Sequence, residues 1–240
     1  EAEEIVHRVF GEDVELEPAD VTKKTSFSTL MKSGYFKRML FLGVFILCQV
    51  VPMYAIYTFG PDIMEAFGLG EGHEAILGES AVSLFFLVGS IPAMFWLNSM
   101  GRRKLLLVSL AMMAVGLLVL GVWPTAPIWV VIVAFGLYAF FSGGPGILQW
   151  LYPNEMFPTE IRASAVGVAI GFSRIGTIAA TYGTPIFLEA YGIGPTMLIA
   201  AGLVVFGLVL SYFMAPETKG KSLAETSAIE DVPAVRSRRS

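Results

Sequence analysis

The chain has one cysteine, Cys48, and two histidines, His7 and His73, in 240 residues. A lone thiol excludes an internal disulfide and a thiolate metal cluster. Cys48 lies in an apolar run, where its expected role is that of a small buried hydrophobe. His7 and His73 sit in polar segments, and Gly72-His73 in an acidic stretch is only weak bait for a metal. No glycine-rich nucleotide loop, catalytic triad or metal motif occurs. An enzyme, a cofactor and a nucleic-acid partner are therefore not expected. No initiator Met opens the chain, and no Lys or Arg occurs from Met39 to Gly101. Charge is scarce throughout, with 15% charged residues against 55% hydrophobic, 18 Phe and 11 Met. A mean hydropathy of +0.69 is too high for a soluble domain of this size.

What is present is a set of long apolar runs. A bilayer core of about 30 Å asks for about 20 apolar residues per helix. Six runs meet that length, near Met39 to Phe59, Ser80 to Leu97, Leu105 to Val122, Ile128 to Trp150, Ala163 to Leu188 and Pro195 to Ala215. They predict an all-α integral membrane protein with six transmembrane helices, spanning 39–215. The segment 1–38 reads as cytoplasmic, with a short helix and a linker, and 216–240 as a cytoplasmic tail, mostly disordered. The first run follows a charged segment and has no small-residue cleavage site after it, so it is not a signal peptide. Lys and Arg favour the cytoplasmic side of short loops. Arg102, Arg103 and Lys104 mark one inside loop and Arg162 another, while "GPDIMEAFGLGEGHEAILGE" is acidic only and reads as outside. Both termini are then cytoplasmic. The net charge of −4 belongs mainly to loops and tails.

Three motifs fall at helix junctions: "MGRRKLLLVS" between spans two and three, "PNEMFPTEIRASAVG" between four and five, and "APETKGKSL" after six. Together, and in this order, they resemble the major facilitator superfamily, within it the sugar porter and related metabolite transporter branches. The resemblance covers nearly the whole chain as the carboxyl-terminal half of a twelve-helix transporter. It implies two three-helix repeats of inverted topology, spans one to three and four to six, with substrate bound near the midplane against an amino-terminal six-helix half. The opening "EAEEIVHRVFGEDVELEPADVTKK", with apolar spacing at Ile5, Val6, Val9 and Phe10 and a polar linker after it, suits a central loop between two such halves.

The first span aligns with the hexose-porter pattern through "CQVVPMYAIYTFGP" but departs from it. Gln49 and Pro61 are kept. Cys48 stands at the first glutamine, Pro52 at the glycine, Tyr54 at the asparagine, and Thr58 and Phe59 at the tyrosine pair. Those amides bond sugar hydroxyls, so their loss leaves a hexose poorly held. In span four, "FSGGPGILQWLYPNE" keeps Trp150 five residues before Glu155 but has Gln149 where a proline usually precedes the tryptophan. Gly143, Gly144, Pro145 and Gly146 predict a helix loosened around its middle, with a packing kink as the alternative. The resemblance also implies a cytoplasmic gate of ion pairs among Glu155, Arg162, Arg102 and Glu217, with Arg103 beside them. Asn98 replaces the usual aspartate at that corner, which leaves at best a hydrogen bond there.

Arg174 sits inside the apolar run "GVAIGFSRIGTIAATYGTPIF", twelve residues past Arg162 and so roughly 18 Å into the bilayer. A charge at that depth costs about 2.5–3.5 kcal/mol on the insertion scale, which demands a cavity or a partner. Thr177, Thr181 and Thr184 follow at helical spacing as a polar stripe, and Gly167 and Gly171 form a step on which another helix can pack. Organic-ion and aromatic-acid branches of the superfamily often carry such an arginine. A guanidinium matches a carboxylate in a bidentate fork; the alternative role is structural, bonding helix carbonyls or a carboxylate of the other half. Arg174, with Gln49, Tyr54, Tyr57, Gln149, Trp150 and Thr177, forms the expected substrate set. The reading is secondary active transport of a small carboxylate by alternating access, in a bacterial inner membrane. A sugar or polyol porter, and a sensor or scaffold on a transporter fold, are the alternatives. No span holds an Asp, Glu or His away from its ends, so a proton acceptor would have to lie in the other half.

Overall fold

The structure, a computed structural model, describes residues 35–67 and 73–220. The amphipathic stretch at Ile5 to Phe10, His7, the linker after it and the tail beyond Gly220 lie outside the described residues. Among the described residues there are seven helices and no strand: α1 Phe36–Thr58, α2 Gly60–Ala66, α3 His73–Met100, α4 Arg102–Val122, α5 Ile128–Met156, α6 Thr159–Tyr191 and α7 Ile193–Met214. All but α2 are long and apolar enough to cross a membrane, and each expected span falls on one of them.

The first connection is more ordered than a plain loop. Pro61 stands in the first turn of α2 with Asp62 beside it, a residue pair suited to a helix start because the proline amide would be unbonded there and the carboxylate meets the positive end of the dipole. His73 opens α3 rather than lying in a loop. Two later connections are single-residue corners. Gly101 (φ +88°) joins α3 to α4, and Gly192 (φ +77°) joins α6 to α7, a backbone region that costs glycine nothing.

The helix pairing is symmetric under exchange of two triplets. α1 packs on α6 and α3 on α5; α4 packs on α7; α4 also meets α5, and α1 also meets α7. Exchanging α1, α3, α4 with α5, α6, α7 returns the same set of pairs, and it carries the Gly101 corner onto the Gly192 corner. This is the arrangement that two inverted three-helix repeats require.

Between helices in lipid there is no hydrophobic force, so packing rests on van der Waals contact and small residues. The core runs along α1, α4 and α5 and includes Phe41, Phe45, Leu106, Phe135, Tyr138 and Tyr152, all fully buried. α3 and α5 approach until a Cβ at Gly143 would lie 2.9 Å from the Ser90 backbone. α1 and α6 meet at Gly176, where a Cβ would stand 2.8 Å from Val51 Cγ2. Gly167 and Gly171 have nothing within 4 Å of a built Cβ, so among the described residues no helix uses their step.

The glycine-proline run does not break span four. α5 continues through Gly143 to Gly146 without interruption. Pro145 removes one backbone bond, but the flanking glycines seat α5 against Ser90 of α3 and Ser109 of α4, and this packing holds the helix through the gap. α3 and α6 leave large side chains outward, among them Leu84, Leu87, Ile91, Phe95, Ile175, Ile178 and Tyr182.

Candidate functional site

α1 presents different chemistry on its two sides. On one side a cavity of about 510 Å³ is lined by Gln49, Met53 and Tyr57 of α1, Ser83, Phe86 and Ser90 of α3, and Gly143, Gly146, Ile147, Gln149 and Trp150 of α5. Its size is that of small-molecule sites. Four of the seven expected substrate residues meet here: Gln49, Tyr57, Gln149 and Trp150. Gln49 is fully buried. Among the described residues its amide nitrogen donates only to Met53 Sδ, at 3.7 Å, and its amide oxygen has no partner. A thioether is a weak acceptor, so this amide is largely unsatisfied at a place where that is costly. Trp150 is 59% exposed on the opposite wall. On the other side of α1, a crevice of about 320 Å³ between α1, α6 and α7 is lined by Leu47, Val51, Ile56, Met197, Leu203 and other apolar groups. Its polar members are Thr184 and Thr196, and the Thr196 hydroxyl donates to the Gly192 carbonyl at 2.8 Å. It has little with which to orient a polar metabolite.

Arg174 and Tyr54 form a pair between α6 and α1. Arg174 Nη1 donates to the Tyr54 hydroxyl at 3.1 Å, and the guanidinium carbon lies 5.8 Å from the tyrosine ring centroid. Arg174 is exposed at the centre of the 33-residue α6, and no carboxylate partners it among the described residues. Tyr54 lines neither the cavity nor the crevice; by helix spacing it projects from α1 between Tyr57 of the cavity and Leu47 of the crevice. The threonine stripe does not extend this surface. Thr177 donates to the Ser173 carbonyl at 3.2 Å and Thr181 to the Thr177 carbonyl at 3.0 Å, while Thr184 turns inward, 8% exposed. A hydroxyl bonded to its own helix satisfies itself first.

The three junction motifs converge at one end of the bundle, around Gly101. Arg102 bonds Glu155, with Nη2 2.8 Å from Oε1 and Nε 3.2 Å and 3.3 Å from the two carboxylate oxygens. The Thr218 hydroxyl donates to the same carboxylate. Glu217 accepts the backbone N–H groups of Arg102 at 3.1 Å and Arg103 at 3.2 Å. It thereby caps the start of α4, where amides lack helical partners and the dipole favours an anion. At Gly101 a Cβ would lie 2.7 Å from Glu217 Oε2, so the corner needs glycine twice over. Arg103 and Arg162 reach carbonyls instead of carboxylates: Arg103 Nη2 to Tyr212 at 2.7 Å and Arg162 Nε to Phe157 at 3.1 Å. Cations there neutralise helix C-termini. Asn98 is exposed, and at its corner Lys219 Nζ donates to the Ser99 carbonyl at 2.6 Å.

Sequence reading missed Ser83, Ser90, Phe86 and Met53 in the cavity, and Arg38, Thr218 and Lys219 in the junction network. Ser83 and Ser90 are seven apart in an apolar span, which places them on one helix face; that was the available signal. Arg38, which donates to the Met156 carbonyl at 3.1 Å, had none.

A family model described as sugar (and other) transporter matches residues 3–229. "Putative metabolite transport protein YaaU" of Escherichia coli (strain K12) is 54% identical over 227 residues, covering 95% of this chain and 51% of that protein. "Inner membrane metabolite transport protein YgcS" of the same organism is 33% identical over 224 residues, covering 93% and 49%. Among solved structures, the major facilitator superfamily proton:xylose symporter XylE bound to 6-bromo-6-deoxy-D-glucose matches with a TM-score of 0.71 at 23% identity, covering 85% of this chain and 44% of that one. The chain spans about half the length of the curated relatives it matches. These relatives are transporters, not enzymes. With six apolar spans paired as two repeats, the chain is an integral membrane protein of the major facilitator fold and belongs to the sugar (and other) transporter family.

Proposed function

We propose that this chain is the carboxyl-terminal half of a secondary transporter that carries a small organic carboxylate across a bacterial inner membrane by alternating access. An amino-terminal six-helix half completes the substrate site, and both ends of this chain face the cytoplasm. The observation that carries the reading is Arg174. A permanent charge at the centre of α6 is costly in lipid, and its only hydrogen-bond partner among the described residues is the neutral Tyr54 hydroxyl. That bond uses one donor of the guanidinium fork and leaves others for a carboxylate. Tyr54 holds the fork in place, so a bound anion gains a bidentate contact without first ordering the side chain.

The network of Arg102, Glu155 and Glu217, with Thr218, acts as the cytoplasmic gate of the outward-facing state. Arg103 and Arg162 support it through carbonyls. Coupling to protons would draw its titrating group from the amino-terminal half, as no Asp, Glu or His lies mid-span here. A sugar or polyol porter is the second reading. It is favoured by the amide-lined cavity and by relatives named for arabinose and glucose. A sensor or scaffold without transport is the reading of another class, and saturable uptake separates the two.

The test is initial-rate uptake of labelled benzoate by the intact transporter in proteoliposomes, beside Arg174→Gln at matched protein level. The carboxylate reading expects KM to rise tenfold or more, about 1.4 kcal/mol of substrate binding. Equal KM in both would assign Arg174 a structural role and remove the main support for an anionic substrate.

A further inference from the structure

Two polar groups that are separate in the sequence both adjoin α1, the Gln49 amide on the helix itself and the Arg174 guanidinium brought to Tyr54 from α6, and each is incompletely satisfied among the described residues. Gln49 is buried with its amide oxygen unpartnered and its nitrogen on a thioether. It lines a cavity whose other polar side chains are Gln149, Ser83, Ser90, Tyr57 and the Trp150 indole. Ser90 donates back to the Phe86 carbonyl at 2.8 Å, so its oxygen offers an acceptor. Beside this wall, Tyr54 holds the Arg174 guanidinium.

A plain aromatic carboxylate would meet Arg174 and Trp150 but leave the Gln49 amide unpaired in a desolvated site, the situation that rejects a ligand lacking hydroxyls. A neutral sugar would meet the amides but leave the guanidinium without a counter-charge. A ligand that carries a carboxylate and several hydroxyls satisfies both. Resting on the carboxylate reading above, we infer that the substrate is a polyhydroxylated monocarboxylate of the sugar-acid type, with its carboxylate on Arg174 and Tyr54 and its hydroxyls on Gln49 and Gln149. The exposed indole of Trp150 faces the carbon chain or ring between them.

The experiment is calorimetric binding of gluconate, galacturonate, benzoate and xylose to the intact purified transporter, and to Arg174→Gln, Gln49→Leu and Gln149→Leu. Gln149 is half-buried on the cavity wall, so its variant keeps the test open where Gln49→Leu fails to fold. The inference expects gluconate or galacturonate to bind at least tenfold more tightly than benzoate or xylose. It also expects at least a tenfold loss for the sugar acid in Arg174→Gln and in a glutamine variant, with benzoate affinity held or raised by the glutamine variants, each of which removes an amide that benzoate leaves unpaired. Benzoate binding that depends on Arg174, with no sugar acid bound, would overturn the inference and leave the carboxylate reading standing. Sugar-acid binding indifferent to both glutamines would overturn it in the same way. Xylose binding tighter than every acid, unchanged by Arg174→Gln, would overturn both. Absence of binding by either sugar acid counts against the inference.

Discussion

Glu155→Gln removes the charge that Arg102 pairs with while keeping the side-chain shape. The pair joins the first turn of α4 to the last of α5, with side chains 18% and 13% exposed and three N–H contacts at 2.8–3.3 Å. Breaking a fully buried pair costs about 3–5 kcal/mol, whereas exposed pairs are worth about 0–1 kcal/mol. This pair is mostly but not wholly withdrawn from water, and Thr218 can still donate to the amide oxygen. The expected loss is therefore about 2 kcal/mol, between those limits. On the gate reading the pair forms only in the state closed at this end, so the loss shifts the equilibrium toward the open state roughly 30-fold. A reporter cysteine at Ile147 on the cavity wall measures it, since Cys48 is fully buried and gives this half a silent background. Labelling by an impermeant maleimide from the cytoplasmic side should be about 10–30-fold faster in Glu155→Gln than in the parent. A double-mutant cycle with Arg102→Gln should return a coupling of about 1–2 kcal/mol. Labelling unchanged within twofold, or a coupling near zero, would refute the gate.

Gly101→Ala places a Cβ in a backbone region that costs a non-glycine residue about 1–3 kcal/mol and drives it against Glu217 Oε2. It should lower the Tm of the intact transporter, and an unchanged thermal midpoint would contradict the role of that corner. Thr177→Val should leave substrate KM within twofold, because the Thr177 hydroxyl is bonded to the Ser173 carbonyl; a tenfold rise would place Thr177 on the substrate after all.

The spans were legible because burial in lipid asks for long uninterrupted apolar runs, and composition alone marks them. The α2 helix was hidden inside an acidic stretch although Pro61 and Asp62 carry a start signal; the signal is local and the eye follows hydropathy. The fate of Gly143 to Gly146 was not legible, because the same residues weaken a free helix and permit a closely packed one. Only the neighbours Ser90 and Ser109 decide between these. Gln49 and Trp150 were found through the resemblance, Gln149 as a departure from it and Tyr57 as an aromatic on the same span as Gln49, and their convergence on one cavity was not visible in the chain. The helical spacing that grouped Thr177, Thr181 and Thr184 with Arg174 was sound as geometry. It failed as chemistry because those hydroxyls bond their own helix or turn inward.

The central claim, transport of a small carboxylate, is tested most directly by counterflow. Proteoliposomes containing the intact transporter and preloaded with unlabelled gluconate or benzoate are diluted into a trace of the labelled acid. Transient accumulation of label is expected, saturating with concentration and abolished in protein-free vesicles. Uptake that stays linear, unsaturable and indifferent to preloading for every carboxylate, or counterflow found only with neutral sugars and polyols, would contradict it.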